Sequence, residues 1–267
     1  MKPRFLPILA IFILFSSFAI AAPTDCPEHY MGGQAPDLNT VKPADKIQEV
    51  CYSGYAVFHS GVTRTPLSSA EHLTAERLSH HVKRNGVFHA DPNIPPENRA
   101  EVQDYKKSGF DRGHMAPAAD MTDQKSMTEC FSLANMIPQN PNNNQVLWKG
   151  IETTVRDLAT NSGDLYVVTG PIFYGAGLKK INNRVTVPTY IYKAVYDSTR
   201  GQAAAYLVKN EKGNRYVRIS IPELEKVSGI AVFPNLSVEA KKNPLNLPQP
   251  KMSRKTSAVE DRDLLPK

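Results

Sequence analysis

The stretch Ser108-Gly109-Phe110-Asp111-Arg112-Gly113-His114 decides how this chain is read. Asp111, Arg112 and His114 place a carboxylate, a guanidinium and an imidazole side by side on a segment punctuated by glycines. Arginine offers a planar fork matched to phosphate oxygens. Histidine, whose ordinary pKa lies near neutrality, can take a proton from water. Together they suit phosphodiester hydrolysis. A surface ion pair beside a structural histidine satisfies the same string, so the residues farther along decide between the two.

Downstream, Asn135-Met136-Ile137-Pro138-Gln139-Asn140-Pro141-Asn142-Asn143-Asn144 crowds amide side chains around two prolines, ahead of a helical pattern over 142–159. Asparagines commonly cap helices. At about 100° per residue, Leu147, Ile151, Val155 and Leu158 fall within about 60° of Asn144, so Asn144 is expected at the inward end of an apolar stripe. An inward amide needs a partner, and two candidates stand: a hard cation on its carbonyl oxygen, or a cap hydrogen bond. Glu152 lies roughly 80° around and about 12 Å along the axis from Asn144. That is too far for shared direct ligation, but a glutamate leans back toward the helix N-terminus and could reach waters held by such a cation.

Asp111-Arg112-Gly113-His114, then Asn135 ahead of Pro138-Gln139, then Asn144, Trp148 and Glu152 at even intervals, form an ordered combination that resembles the DNA/RNA non-specific endonuclease family. The likeness runs from about Cys51 to Val195 and takes in Thr169-Gly170-Pro171. It implies an α+β fold, with a ββα-metal (His-Me finger) core in a layered domain of antiparallel-type sheet and flanking helices. His114 would project from a strand and Asn144 from a crossing helix.

The resemblance also implies catalytic roles for His114 as general base, Arg112 at the phosphate, and Arg84, in Lys83-Arg84-Asn85, facing the transition state. Arg77 and Arg64 are the arginines most easily confused with Arg84. Asn144 would ligate the metal, Mg2+ with Mn2+ as a substitute, while Glu152 and Asn135 hold the metal's waters from the outer shell. The substrates would be DNA and RNA, cut with little sequence preference to leave 5′-phosphate ends. A backbone carbonyl is expected to fix the His114 tautomer.

Elsewhere the chain reads as an exported single domain. Lys2 and Arg4 precede an apolar run from Phe5 to Ile20, and Ala19-Ile20-Ala21 supplies small residues for cleavage. Residues 1–21 therefore read as a secretory signal peptide cleaved after Ala21, the apolar run being short for an anchor. A secreted or periplasmic protein with no stable membrane association after cleavage is expected. Losing Lys2 and Arg4 lowers the net charge from +6 to +4, which suits a polyanionic partner but is also common in proteins that bind none.

The remaining length can bury one sizeable core. One domain over 22–240 is expected, followed by a flexible basic, proline-rich tail over 241–267. Cys26 and Cys51 are expected to pair as a disulfide, with Cys130 a small buried residue on a strand. Strands are expected over 52–60, 164–170, 189–197 and 203–208, and helices over 69–82, 142–159 and 222–227. Their irregular order disfavours a doubly wound parallel sheet. His80-His81 reads as polar helix surface, and Tyr190 to Tyr196 as a half-buried strand.

Two other functions fit the same residues. One is an exported nucleic-acid-binding or uptake protein that uses this fold without cleavage, against which the intact His114 and Asn144 argue. The other is a hydrolase of a smaller phosphodiester, which release of fragments from long DNA and RNA would exclude.

Overall fold

The computed structural model describes residues 24–38, 46–252 and 256–266; the expected signal peptide, residues 1–21, lies outside them. The strands are β1 (Ile47–Cys51), β2 (Ala56–Ser60), β3 (Thr65–Thr74), β4 (Asp111–His114), β5 (Met136–Gln139), β6 (Asp164–Ile172), β7 (Lys180–Ile181), β8 (Val185–Thr186), β9 (Tyr190–Asp197), β10 (Gln202–Lys209), β11 (Arg215–Ile219) and β12 (Val259–Glu260). The helices are α1 (Ala75–Ser79), α2 (Gln124–Glu129), α3 (Lys149–Ser162), α4 (Ile221–Ser228) and α5 (Val238–Lys242).

One large sheet runs in the order β1-β2-β3-β6-β9-β10-β11-β12. Its neighbours pair antiparallel except β12, which joins β11 in parallel. Side chains alternate between its faces, as a pleated strand requires. Tyr192, Ala194, Ala205, Leu207 and Val217 pack on one side with Leu224 of α4 and Ala240 of α5. Ile191, Val195, Ala204, Tyr206 and Tyr216 pack on the other with Leu147, Trp148, Ile151 and Val155. The expectation of a half-buried strand at 190–196 is thereby corrected: both faces are covered, and only Tyr196 of that stretch escapes burial.

Other expectations also change. Residues 69–74 belong to β3, not to a helix, because Ser69 to Thr74 pair with Thr169 to Asp164 of β6. Six residues of sheet pairing outweigh a helical spacing built on alanine and leucine, which either structure accepts. Thr74 then caps the short α1 through its side chain, and His80-His81 follows it as exposed loop. Cys130 is buried as expected, but at the C-terminal end of α2 and not on a strand.

Where it is described, the tail expected to be flexible is docked on the sheet. Leu245, Leu247, Ala258 and Leu264 are buried, β12 extends the sheet, and the Tyr206 hydroxyl donates to the Pro248 carbonyl at 2.6 Å. A few well-spaced leucines among the prolines and lysines suffice to dock the segment, which composition alone does not show. Cys26 and Cys51 form the disulfide.

Candidate active site

β4 and β5 form a separate two-stranded ribbon in which Asp111, Arg112, Gly113 and His114 face Gln139, Pro138, Ile137 and Met136. Arg112 and His114 lie two apart and so share a face. Glycine is required between them: a Cβ at Gly113 would stand 2.0 Å from Gln139 Oε1 and 2.6 Å from Gln139 Cβ. The Gln139 side chain folds over that space and donates to Asn143 Oδ1 at 2.8 Å. The ribbon is in this way tied to the start of the helical segment that crosses it.

That segment begins with a π-helical turn, Asn143–Trp148, and continues as α3. Such turns recur at functional sites because their wider bonding pattern shifts side chains off the regular helical phase. Here the shift corrects the sequence reading. Leu147, Ile151 and Val155 are buried as the stripe predicts, but the buried amide is Asn143, which donates to the Lys209 carbonyl. Asn144 is only half-buried and faces a cleft of about 700 Å³.

Arg84, Arg112, His114, Asn144 and Glu152 all line this cleft. Asp111 Oδ2 accepts hydrogen bonds from Asn144 Nδ2 and Gln145 Nε2, each at 2.9 Å. With its amino group so held, Asn144 keeps its carbonyl oxygen for the cleft, and no described residue donates to it. The first residue of the motif therefore orients the asparagine, a link invisible in the sequence.

His114 is 8% exposed. Its ring packs against Phe88, tilted at 5.8 Å between centroids, and edge-on against Phe131 at 5.1 Å. Burial, and after it the Arg84 charge, pushes the imidazole pKa down to about 3. His114 Nε2 is sealed from solvent without a hydrogen-bond partner among the described residues. The expected tautomer-fixing carbonyl is therefore not found there; aromatic rings hold the imidazole instead, and Nδ1 is the nitrogen left to meet a water in the cleft.

Phe88 also carries the Arg112 guanidinium 4.2 Å from its centroid, and Phe131 carries that of Arg84 at 5.3 Å. Stacking of this kind holds a planar cation without consuming its donors. Both fork faces stay available to an anion. The candidate alternatives to Arg84 are otherwise engaged: Arg77 donates to the carbonyls of His72 and Gly54, and Arg64 to those of Glu97 and Arg184.

Glu152 stands on the cleft side of α3, where burial raises its carboxyl pKa to about 7 against the lowering effect of Lys193. Arg156, one turn on, lines the cleft too and pairs with the buried Asp120 at 2.5 Å. Sequence reasoning missed Arg156, although its spacing from Glu152 is a regular helical one.

Asn135 departs from its expected role. It is fully buried: its Oδ1 accepts from the Ser69 hydroxyl at 3.0 Å and the Ala116 amide at 2.9 Å, and its Nδ2 donates to the Ala116 and Cys130 carbonyls. With every bond spent on the protein, it has none left for a metal's waters. It pins the chain just past His114 to β3.

The sequence profile of the DNA/RNA non-specific endonuclease family matches residues 35–239. The chain belongs to that family. It is 33% identical over 216 residues to the mitochondrial nuclease EXOG of Danio rerio, covering 73% of this chain and 63% of that protein. The human EXOG is 32% identical over 240 residues, covering 78% and 65%. The chain thus spans somewhat less than two thirds of the length of these relatives.

A chain in the crystal structure of the EndoG/EndoGI complex superposes with a TM-score of 0.66 at 29% identity, covering 71% of this chain and 86% of that one. The fold is accordingly the α+β, ββα-metal arrangement of the family, with β4, β5 and the Asn143-to-Ser162 helical segment as its core. Secreted or periplasmic residence, expected from the N-terminal run, is corrected by the same comparisons. The EXOG relatives are mitochondrial nucleases.

Proposed function

We propose that this chain is a metal-dependent endonuclease that hydrolyses the phosphodiester backbones of DNA and RNA with little sequence preference. The observation that carries this reading is the neutral, ring-clasped His114 sharing one cleft with the undonated carbonyl oxygen of Asn144 and the stacked guanidinium groups of Arg84 and Arg112.

His114 acts as general base. Because burial and the Arg84 charge disfavour its protonated form, Nδ1 is free to accept the proton of the attacking water. Arg112 and Arg84 bind the non-bridging phosphate oxygens and stabilise the negative charge that grows on them as water adds.

The donor set suits a hard cation. It offers one neutral amide oxygen oriented by Asp111 and one carboxylate, Glu152, set back along the helix to hold coordinated waters. The charge on the departing 3′ oxygen would be met by such a divalent ion, magnesium or manganese in its place, acting as a Lewis acid. Departure of that oxygen leaves a 5′-phosphate end. Since these groups address phosphate and not base edges, base preference is weak.

A plasmid-nicking assay tests the reading. Magnesium supports nicking, a chelator abolishes it, and His114→Ala lowers the rate by about 10²- to 10⁴-fold while leaving DNA binding intact. A fully active His114→Ala protein, or wild-type protein that binds and never nicks, would overturn it.

A further inference from the structure

One wall of the cleft carries features that the hydrolytic step does not use. Tyr105 and Phe110 line it, and behind them the 100–110 segment shares a small core with β7 and β8 through Ala100, Ile181, Val185 and Val187. Asp104, buried in this wall, is taken up by Asn182 Nδ2 at 2.7 Å and by Arg184 at 3.1 Å. Lys106, Lys107, Lys179 and Lys180 stay exposed, and none of them forms an ion pair among the described residues. The local acid is neutralised inside while the lysines face out.

Lys107, Asn182 and Asn183 hold left-handed backbone angles, φ 55°, 47° and 52°. For lysine that conformation is uncommon, and strained backbone of this kind clusters at ligand-binding sites. Lys179 Nζ stands 4.9 Å from the centroid of the Phe110 ring, and Phe110 lines the cleft immediately before Asp111. The ring props the ammonium group at the cleft rim. By strand rise, Phe110 is on the order of 13 Å from His114, roughly four base-pair steps of duplex.

We propose that this lysine-bearing wall is a second phosphate-binding subsite, where Lys179 and Lys180 hold the backbone of duplex DNA several nucleotides from the bond being cut. The inference rests on the nuclease reading for its substrate but not for its site. Lysines at this distance act as point charges on phosphates, adding affinity and register without reading bases. A short phosphodiester cannot reach them.

The test compares the full chain with Lys179→Ala/Lys180→Ala, measuring binding of a labelled 20-base-pair duplex by fluorescence anisotropy without metal at several salt concentrations. The double variant is expected to bind about tenfold more weakly at low salt and to lose about 2 from the slope of log affinity against log salt. With metal, the same variant should show a raised KM on plasmid and unchanged hydrolysis of a small activated phosphodiester. Unchanged affinity and slope would overturn the subsite, whatever the nicking assay shows. Equal losses on plasmid and on the small ester would overturn it too, by placing the lysines' effect at the reacting centre. Absence of nicking by wild-type protein that binds with the steep salt slope would sink the nuclease reading and leave the subsite standing.

Discussion

At the scale of single residues, the site is governed by what burial does to charge. Desolvation, and after it the Arg84 charge, disfavours the protonated form of His114. Behind the cleft, Glu71 on β3 is fully buried, and neither carboxylate oxygen has a hydrogen-bond partner among the described residues. Burial first, and then the neighbouring Asp120, raise its pKa above the ordinary 4.5. Below that value both folded and unfolded chains hold the proton, and Glu71 adds no pH dependence to stability. As pH rises, the unfolded chain releases the proton while the folded one retains it, so stability falls. His114 acts with the opposite sign: between its ordinary 6.5 and its folded value of about 3, falling pH favours the unfolded chain. Glu71→Gln should therefore melt progressively higher than the parent from about pH 5 to about pH 8. Melting curves of the metal-free proteins across that range would show it, and a pH-independent difference would contradict it.

At the scale of elements, the helix that carries Asn144 and Glu152 is held from both sides. The ribbon grips its start through Gln139 and Asn143, and the C-terminal segment straps its outer face. Thr154 Oγ1 accepts from the Lys251 amide at 2.8 Å, and Lys251 Nζ pairs with Asp157. Gly150 lies directly under the strap, where a Cβ would stand 2.5 Å from the Lys251 carbonyl oxygen. Gly150→Val should lift the strap and displace the helix, lowering stability by about 1 to 3 kcal/mol and slowing nicking as Asn144 shifts. Thr154→Val removes two hydrogen bonds, the one accepted from the Lys251 amide and the one donated to the Gly150 carbonyl, and should cost about 1 to 2 kcal/mol with a smaller effect on rate. Urea unfolding alongside initial nicking rates separates the two variants. Equal stability of Gly150→Val and the parent would show that the strap does not bear on the helix.

At the scale of the whole molecule, the sheet divides the labour. One face carries the helix that bears Asn144 and Glu152, while the other is closed by α4, α5 and the N-terminal segment around Tyr30 and Met31. The Cys26–Cys51 disulfide joins that segment to the end of β1 across a separation of 25 residues. Its reduction should lower stability by about 2 to 4 kcal/mol. Since neither cysteine lines the cleft, the nicking rate well below the melting temperature should not change. Denaturant curves with and without a dithiol reductant would check the first outcome and nicking the second.

What the sequence determined by itself was local and ordered: the motif at Asp111 to His114, the spacing of Asn144 and Glu152, the strands expected over 164–170 and 189–197, and the cysteine pair. These were legible because short-range chemistry and the period of a strand are written in consecutive residues. The tertiary structure decided what depends on distant partners. Residues 69–74 became strand because β6 lies beside them, and the tail docked because the sheet offered its leucines a surface. Asn135 turned structural because Ser69, Ala116 and Cys130 converge on its amide. A π-helical turn, not foreseeable from a helical wheel, buried Asn143 and turned Asn144 toward the cleft. In each case the free energy of the arrangement sits in contacts between segments far apart in the chain, and a one-dimensional pattern does not contain them.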